Sequence, residues 1–267
     1  MVVVVVVGFH AACCRSDVAH CESAEHAPAP QASASPDLVQ VARNNTHNLT
    51  YLRELPARLL ETVDVGLVTG TATLPVHSYV LVAYSPFFAE FLAGDTGLHV
   101  QTRLAIDDTA RPSNLCIRVG DTSTEGLQDA LQYIYNRCPL ARANVPAITS
   151  FAEAERIAAV AHKFDIQLLL EASDAFMSNY LIATYPILRR ENGRWDVGKL
   201  QTTGKTVAGD MIRWAASAQG MQLVSTLAHC EMWLSQRFLH IPDFYPRFFQ
   251  FNQDSFVRIL RAIQQHS

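Results

Sequence analysis

The stretch "LPVHSYVLVAYSPFF", residues 74–88, decides the expected fold because two changes of pattern meet in it. The segment before it, from Asp64, has short apolar runs on either side of Gly70 and predicts a β-hairpin over about 64–76. After it, "HSYVLVAY" and "SPFFAEFL" predict two short helices. Ser85 is expected to cap the second helix, and Pro86 to occupy its first position, where a missing N–H costs nothing.

The segments on either side extend this into an α+β pattern. Leucines at helical spacing in residues 49–62 predict a helix that Pro56 kinks or divides. Residues 93–114 are polar and predict an extended loop, and "LCIRV" at 115–119 predicts a third strand. The order predicts a small sheet edged by helices.

Capping signals mark the helices that follow. Two capping boxes, Thr122 with Glu125 and Ser150 with Glu153, predict two helix starts. Asp165 is expected to cap a further helix over 166–181, and Asp254 to cap the last helix of the chain. From about residue 186 onward strand signals are absent, and helices are predicted at 206–218, 220–238 and 254–265. The fold is therefore expected to end in an all-helical segment.

Composition sets the outer limits on the class of protein. The chain has 267 residues, is 49% hydrophobic and 17% charged, and carries 21 basic and 25 acidic residues for a net charge of -4. A phosphate-tracking surface usually brings a basic excess, so we expect no nucleic-acid partner. The sequence lacks the roughly 18 consecutive apolar residues that a membrane span needs, so we expect no membrane partner.

The ends of the chain and its cysteines bear on organisation and compartment. Residues 1–45 contain a run rich in Ala, Ser and Pro and are predicted to be a disordered tail. The valine run at the start has no Lys or Arg before it, unlike a secretory signal. The six cysteines are not spaced as a disulfide framework. We therefore expect an intracellular protein, cytoplasmic or nuclear.

Several stretches resemble chemical motifs without meeting their requirements. In "GKLQTTGKT", five residues separate Gly198 from Gly204, whereas a phosphate-binding loop needs four and a buried strand before it. The histidines and cysteines of residues 10–26 could bind zinc, or Cys13 and Cys14 could carry a lipid, but their spacing fits a tail best. Because no catalytic motif is present, we expect no enzyme activity and no cofactor.

Two features leave alternatives open at this point. Five aromatic residues near the C-terminus form either the core of the helical segment or a groove for a partner peptide: Phe244, Tyr245, Phe248, Phe249 and Phe251. His77 could be a catalytic base or a metal ligand, but ligands at a suitable spacing are lacking nearby. A lone histidine in an apolar stretch is more often a hydrogen-bonded core residue, and we favour that role.

Three segments, in the right order and at plausible spacing, resemble a BTB/POZ domain. The first runs from Asp64 through Gly70 to "LPVHSYVLVAYSPFFAEFL", the second is "IRVGDTSTEGLQDALQYIYN", and the third is "AERIAAVAHKFDIQLLLEASDAFMSNYL". The resemblance implies a BTB/POZ fold over residues 46–183, with the helices of 184–267 similar to the BACK-type region that often follows it. It also implies structural roles for four residues: Asp64, Gly70, His77 near Asp64, and Ser85.

The resemblance further implies a function in protein–protein interaction. Many BTB proteins homodimerise and link a client protein to a cullin scaffold in a ubiquitin ligase. The implied partner-binding residues are Phe88, Phe91 and Leu92 of the second helix, Leu98 in the following loop, and Tyr135. Cullin-binding members usually carry a glutamate in that loop, whereas residues 93–108 here contain none. The two hypotheses are a cullin-RING substrate adaptor with an unknown client, and a homodimeric scaffold without cullin binding.

Overall fold

A computed structural model describes residues 4–7, 37–53, 55–93, 115–137, 148–187, 205–237 and 253–266. Contacts divide the chain into two compact units. The first unit comprises Met1–Ala83, Phe88–Thr124 and Ile134–Asn144, and the second comprises Tyr84–Phe87, Glu125–Tyr133 and Val145–Ser267. The predicted α+β class, a small sheet flanked by helices and followed by further helices, is confirmed.

The elements follow one another along the described residues in this order: β1 Val4–Val7, α1 Leu38–Asn45, α2 Thr50–Arg53, α3 Ala57–Leu60, β2 Val65–Val68, β3 Thr73–Val76, α4 Ser78–Tyr84, α5 Pro86–Ala93, β4 Leu115–Val119, α6 Thr124–Arg137, α7 Phe151–Lys163, α8 Gln167–Thr184, α9 Lys205–Gly220, α10 Val224–Arg237 and α11 Gln253–His266.

The sheet of the first unit has four strands in the order β1-β4-β2-β3. The predicted hairpin is confirmed, because β2 and β3 are antiparallel with Val65 opposite Val76 and Val68 opposite Thr73. The predicted strand at 115–119 is also confirmed, and it runs parallel to β2 with Val65 opposite Leu115. Parallel neighbours require a crossover connection, which here contains α4 and α5.

Proline sets the helix boundaries of the first unit as predicted. Pro56 separates α2 from α3, and Pro86 is the first residue of α5. A proline interrupts a helix because it lacks the N–H and clashes with the preceding turn, whereas the first helical position needs no N–H donor. The two short helices of residues 78–93 are therefore confirmed.

A close backbone approach fixes α1 against the sheet. A β-carbon added to Gly66, in the middle of β2, would lie 2.8 Å from Leu38 Cδ2 and 3.1 Å from Thr73 Cγ2. Leu38 itself is fully buried. At Gly70, in the hairpin turn, an added β-carbon would meet nothing within 4 Å. Of these two glycines, Gly66 is the one that steric contact requires, and the sequence analysis did not single it out.

The second unit is helical and has its own core. Helices α7 and α8 pack on each other, and α10 packs on α8, α9 and α11. Burial of apolar side chains is the main stabilising term for such a layer. The core residues are Leu181, Ala208, Met211, Ile212, Trp214, Ala215, Cys230, Trp233, Leu234 and Ile259. The helical prediction for the end of the chain is confirmed.

The local capping predictions had mixed outcomes. Ser150 caps α7 and its hydroxyl accepts the Glu153 N–H at 3.2 Å, as predicted. Asp165 makes no side-chain cap for α8, whose cap residue is Ile166, and instead adopts a left-handed φ of 51°. Aspartate tolerates this conformation because its short polar side chain can bond locally.

The starts of two other helices also differ from prediction. Helix α6 begins at Thr124, so Thr122 does not hold the cap position, and its hydroxyl donates to the Gly120 carbonyl at 3.3 Å. The last helix begins at Gln253, which places Asp254 inside the first turn. Within the range predicted as a disordered tail, the structure contains β1 and α1, whose Leu38 and Ala42 are fully buried. The Ala/Ser/Pro-rich segment between them lies outside the described residues.

We predict that Gly66→Ala destabilises the protein by about 1–2 kcal/mol, because the added methyl group overpacks the contact with Leu38 and Thr73. Urea denaturation monitored by circular dichroism measures the difference. Gly70→Ala is the matched control and is expected to change stability by less than about 0.5 kcal/mol. Equal effects of the two substitutions would show that α1 does not constrain Gly66.

Candidate interaction surface

A buried polar junction surrounds His77, where β3 ends and α4 begins. His77 Nε2 lies 2.8 Å from the Leu59 carbonyl oxygen, and Nδ1 lies 2.8 Å from the Tyr135 hydroxyl. The backbone N–H of His77 donates to the same hydroxyl at 2.9 Å. The histidine is fully buried. The junction therefore joins three segments that are distant in the sequence.

The partners of the ring determine its protonation. A carbonyl oxygen only accepts, so Nε2 carries the proton and Nδ1 accepts the Tyr135 hydroxyl proton. Tyr135 in turn accepts the His77 backbone N–H, so each of these groups has a partner while the ring is neutral. Burial lowers the pKa of His77, opposed by the bond to Leu59 and by the Asp64 charge. Both ring nitrogens are occupied, which gives His77 a structural role.

Asp64, which the family resemblance places near His77, bonds to the start of α4 instead. Asp64 Oδ1 accepts the Ser78 N–H at 2.7 Å, and Oδ2 accepts the Ser78 hydroxyl at 2.5 Å. Ser78 is the first residue of α4, whose N–H groups have no partner inside the helix. A negative charge there also complements the helix dipole. Asp64, which precedes β2, therefore caps the helix that follows β3.

The fourth family-matching residue, Ser85, belongs to the second unit. Its hydroxyl donates to the Phe164 carbonyl oxygen at 2.5 Å, and Ser85 is almost completely buried. Phe164 follows the last residue of α7, and its ring lies 5.7 Å from that of Phe87. The local cap motif in the sequence gave no indication of this distant partner.

The residues implied to bind a partner are core residues in this structure. Phe88, Phe91, Leu92 and Tyr135 are between 1% and 8% exposed, and the Tyr135 ring lies 5.2 Å from that of Tyr51. Leu98 and the rest of the predicted loop at 94–114 lie outside the described residues. The role of all five residues in partner binding stays a prediction, and burial gives Phe88, Phe91, Leu92 and Tyr135 a second role in the core.

Helix α4 exposes apolar side chains of its own. Tyr79 is 45% exposed and Val82 is 43% exposed. Residues three apart lie on one face of a helix, so these two form one patch, which we call the α4 patch. The Tyr79 ring also lies 5.2 Å from the His77 ring. The sequence signal was available, because α4 is apolar at more positions than a single buried face requires.

The second unit places further polar groups that the sequence analysis missed. Asp174 of α8 accepts the N–H groups of Ser225 and Thr226, at 2.9 and 2.8 Å, in the first turn of α10. His229 of α10 lies with Nε2 3.0 Å from the carbonyl oxygen of Tyr185, the residue that ends α8. Burial lowers the pKa of His229, an effect that the bond to Tyr185 opposes and the Arg237 charge reinforces. These contacts fix α8 to α10.

Three other candidate sites from the sequence analysis fall outside the described residues. The zinc-like cluster of residues 10–26, the loop-like stretch 198–204 and the aromatic residues 244–251 all lie outside them. Among the residues that are described, no group of three His, Cys, Asp or Glu side chains could hold a metal ion. No described helix is both long and apolar enough to cross a membrane. Burial raises the pKa of the Cys230 thiol to about 12, so it is an unreactive core residue.

Comparison with known families agrees with this geometry. Residues 56–181 match the BTB/POZ domain family, from the proline that precedes α3 to the buried Leu181 of α8. The chain contains a BTB/POZ domain. A search of curated proteins finds no match to the chain. BTB/POZ domains are generally protein–protein interaction modules, and this coarse function applies to residues 56–181.

We predict that Tyr135→Phe costs about 1–3 kcal/mol of stability, because it leaves two buried groups of His77 without a partner. Urea denaturation at pH 7.5 measures this loss. Tyr180→Phe, at a tyrosine that is 41% exposed, is the control and is expected to cost less than about 0.5 kcal/mol. A neutral Tyr135→Phe would show that the junction does not depend on the hydroxyl.

A pH dependence follows from the neutral histidine. The pKa of His77 in the folded protein is lowered, so the unfolded chain binds the proton more readily. The neutral His77 ring stabilises the folded protein fully at pH values above the unfolded-state pKa of about 6.5. This stabilisation is lost as the pH falls toward the pKa of the folded state. We expect unfolding free energy to decrease from pH 7.5 to 5.

The variant His77→Asn isolates this effect from that of His229, whose pKa is also lowered. The asparagine is expected to lower stability at pH 7.5 and to flatten the decrease toward pH 5. The measurement is urea denaturation of both proteins at several pH values. Parallel pH curves for the wild type and the variant would contradict the assignment of the pH dependence to His77.

Proposed function

We propose that the BTB/POZ protein is a non-enzymatic substrate adaptor of a cullin-RING ubiquitin ligase. The domain would contact the cullin scaffold, and the helical C-terminal region, similar to a BACK-type region, would present a client protein. The observation that carries this proposal is the BTB/POZ match over residues 56–181, with the further helices α9, α10 and α11 after it. An adaptor needs a client-binding part besides the domain, because scaffold and client bind separate surfaces.

A second candidate is a homodimeric scaffold that does not bind cullin. Its support is the α4 patch, because Tyr79 and Val82 are exposed while Phe88 and Tyr135, the residues expected to face cullin, are buried. Aromatic side chains are favoured anchors at protein interfaces. The segment 93–108 also lacks the glutamate that would give a scaffold a charge-assisted hydrogen bond. A homodimer through α4 is compatible with either role.

One experiment separates the two candidates. We predict that the purified full chain co-elutes with the N-terminal domain of a cullin, and that light scattering gives the mass of a 2:2 complex. A dimer that does not co-elute with cullin would overturn the adaptor role and leave the scaffold. A monomer that does not bind cullin would overturn both.

Variants at exposed positions test the surfaces more directly than variants at buried positions. Tyr79→Glu with Val82→Glu is expected to convert the dimer to a monomer, because two charges would be buried without partners. Ile182→Glu, at a residue of α8 that is 54% exposed, is the control and is expected to leave the mass unchanged. The variant that tests the cullin surface is Ala93→Arg, at the exposed end of α5. A substitution at the buried Phe88 would test folding instead.

A further inference from the structure

The outer edge of β4 is covered by a strand without a distinguishing side-chain pattern. Strand β1 pairs with β4 in parallel, with Val4 opposite Cys116 and Val7 opposite Val119. It lies within a run of six valines, residues 2–7. Identical side chains do not distinguish one register from the next, so the pairing depends on backbone hydrogen bonds and on the β-propensity of valine.

The direction of the β4 backbone groups follows from its pairing with β2. The Leu115 N–H donates to the Asp64 carbonyl at 3.2 Å, on the β2 side. Successive residues of a strand direct their backbone groups to opposite sides in the plane of the sheet. The Ile117 and Val119 amides therefore also face β2, and the Cys116 and Arg118 amides face β1.

Several features make β1 replaceable at this edge. It has only four residues, and its identical valine side chains do not fix its register. Val6 lies opposite Arg118, whose side chain is exposed. Valine offers no ion pair to a guanidinium group, whereas an acidic residue at that position would.

We infer that the outer edge of β4 is a strand-addition site for an extended segment of a partner protein. That segment is rich in β-branched residues and carries an acidic residue opposite Arg118. Strand β1 occupies the site in the free protein and is displaced when the partner binds. Added strands gain affinity from main-chain hydrogen bonds and specificity from alternate side chains. This site goes beyond the proposed adaptor or scaffold role, which uses α4 and α5.

The first test breaks the β1 pairing in the full chain. Val5→Pro with Val6→Pro removes two successive N–H donors, so one of them must face β4 whichever register is present. Amide exchange followed by NMR is expected to become about tenfold faster or more at Cys116 and Arg118, and to stay unchanged at Ile117 and Val119. Val5→Thr with Val6→Thr keeps the donors and the β-branching and is expected to match the wild type.

The second test supplies the strand in trans to the proline variant. The probe is a synthetic peptide of the valine run with glutamate in place of Val6 and a lysine tail for solubility, and its control carries lysine at that position. The glutamate peptide is expected to restore slow exchange at Cys116 and Arg118 at a lower concentration than the lysine peptide.

Three outcomes would overturn the inference. Unchanged exchange in the proline variant would mean that β1 does not cover the edge, and failure of the glutamate peptide to restore protection would mean that the edge does not accept a strand. A wild-type dimer that becomes a monomer in the proline variant would mean that the valine run pairs with a second copy instead. Cullin co-elution is measured independently of amide exchange. A failure of the adaptor proposal can therefore be told apart from a failure of the strand-addition site.

Discussion

The neutral imidazole of His77 is the contact on which the first unit depends. It is fully buried and bonds the Leu59 carbonyl through one nitrogen and the Tyr135 hydroxyl through the other. The hairpin, the end of α3 and the end of α6 therefore meet at one side chain. Buried polar groups cost free energy unless they have partners, so this junction is specific as well as stabilising. A hydrophobic residue at position 77 would remove the bonds that the ring makes to the Leu59 carbonyl and to the Tyr135 hydroxyl.

Two carboxylates cap helices that are distant from them in the sequence. Asp64 bonds the first residue of α4, and Asp174 bonds the first turn of α10. Each carboxylate satisfies N–H groups that would otherwise lack partners and adds a charge that complements the helix dipole. Asp37 and Ser150 cap the helices that directly follow them, whereas Thr122 and Asp165 do not. Local motifs predicted where these helices begin better than they predicted the capping residues.

Burial divides the apolar residues of α4 and α5 between two roles. Phe88 and Phe91 pack in the core, while Tyr79 and Val82 remain exposed on α4. Family resemblance marked the phenylalanines as partner-binding residues because a motif identifies positions and not their accessibility. Tyr79 also lies beside the His77 junction, with its ring 5.2 Å from the His77 ring. The exposed apolar pair of α4 therefore lies at positions that the motif did not select.

The sequence by itself determined the α+β class, the hairpin, the strand at 115–119, the helix breaks at Pro56 and Pro86, and the BTB/POZ resemblance. These features depend on local periodicity and on the geometry of proline, and both are set by residues that are close together in the sequence. Only the tertiary structure decided the partners of His77, the close approach of Gly66 to Leu38, and the burial of Phe88. Those features join residues far apart in the chain, and a pattern within one segment contains no information about which distant atom completes a hydrogen bond or fills a space.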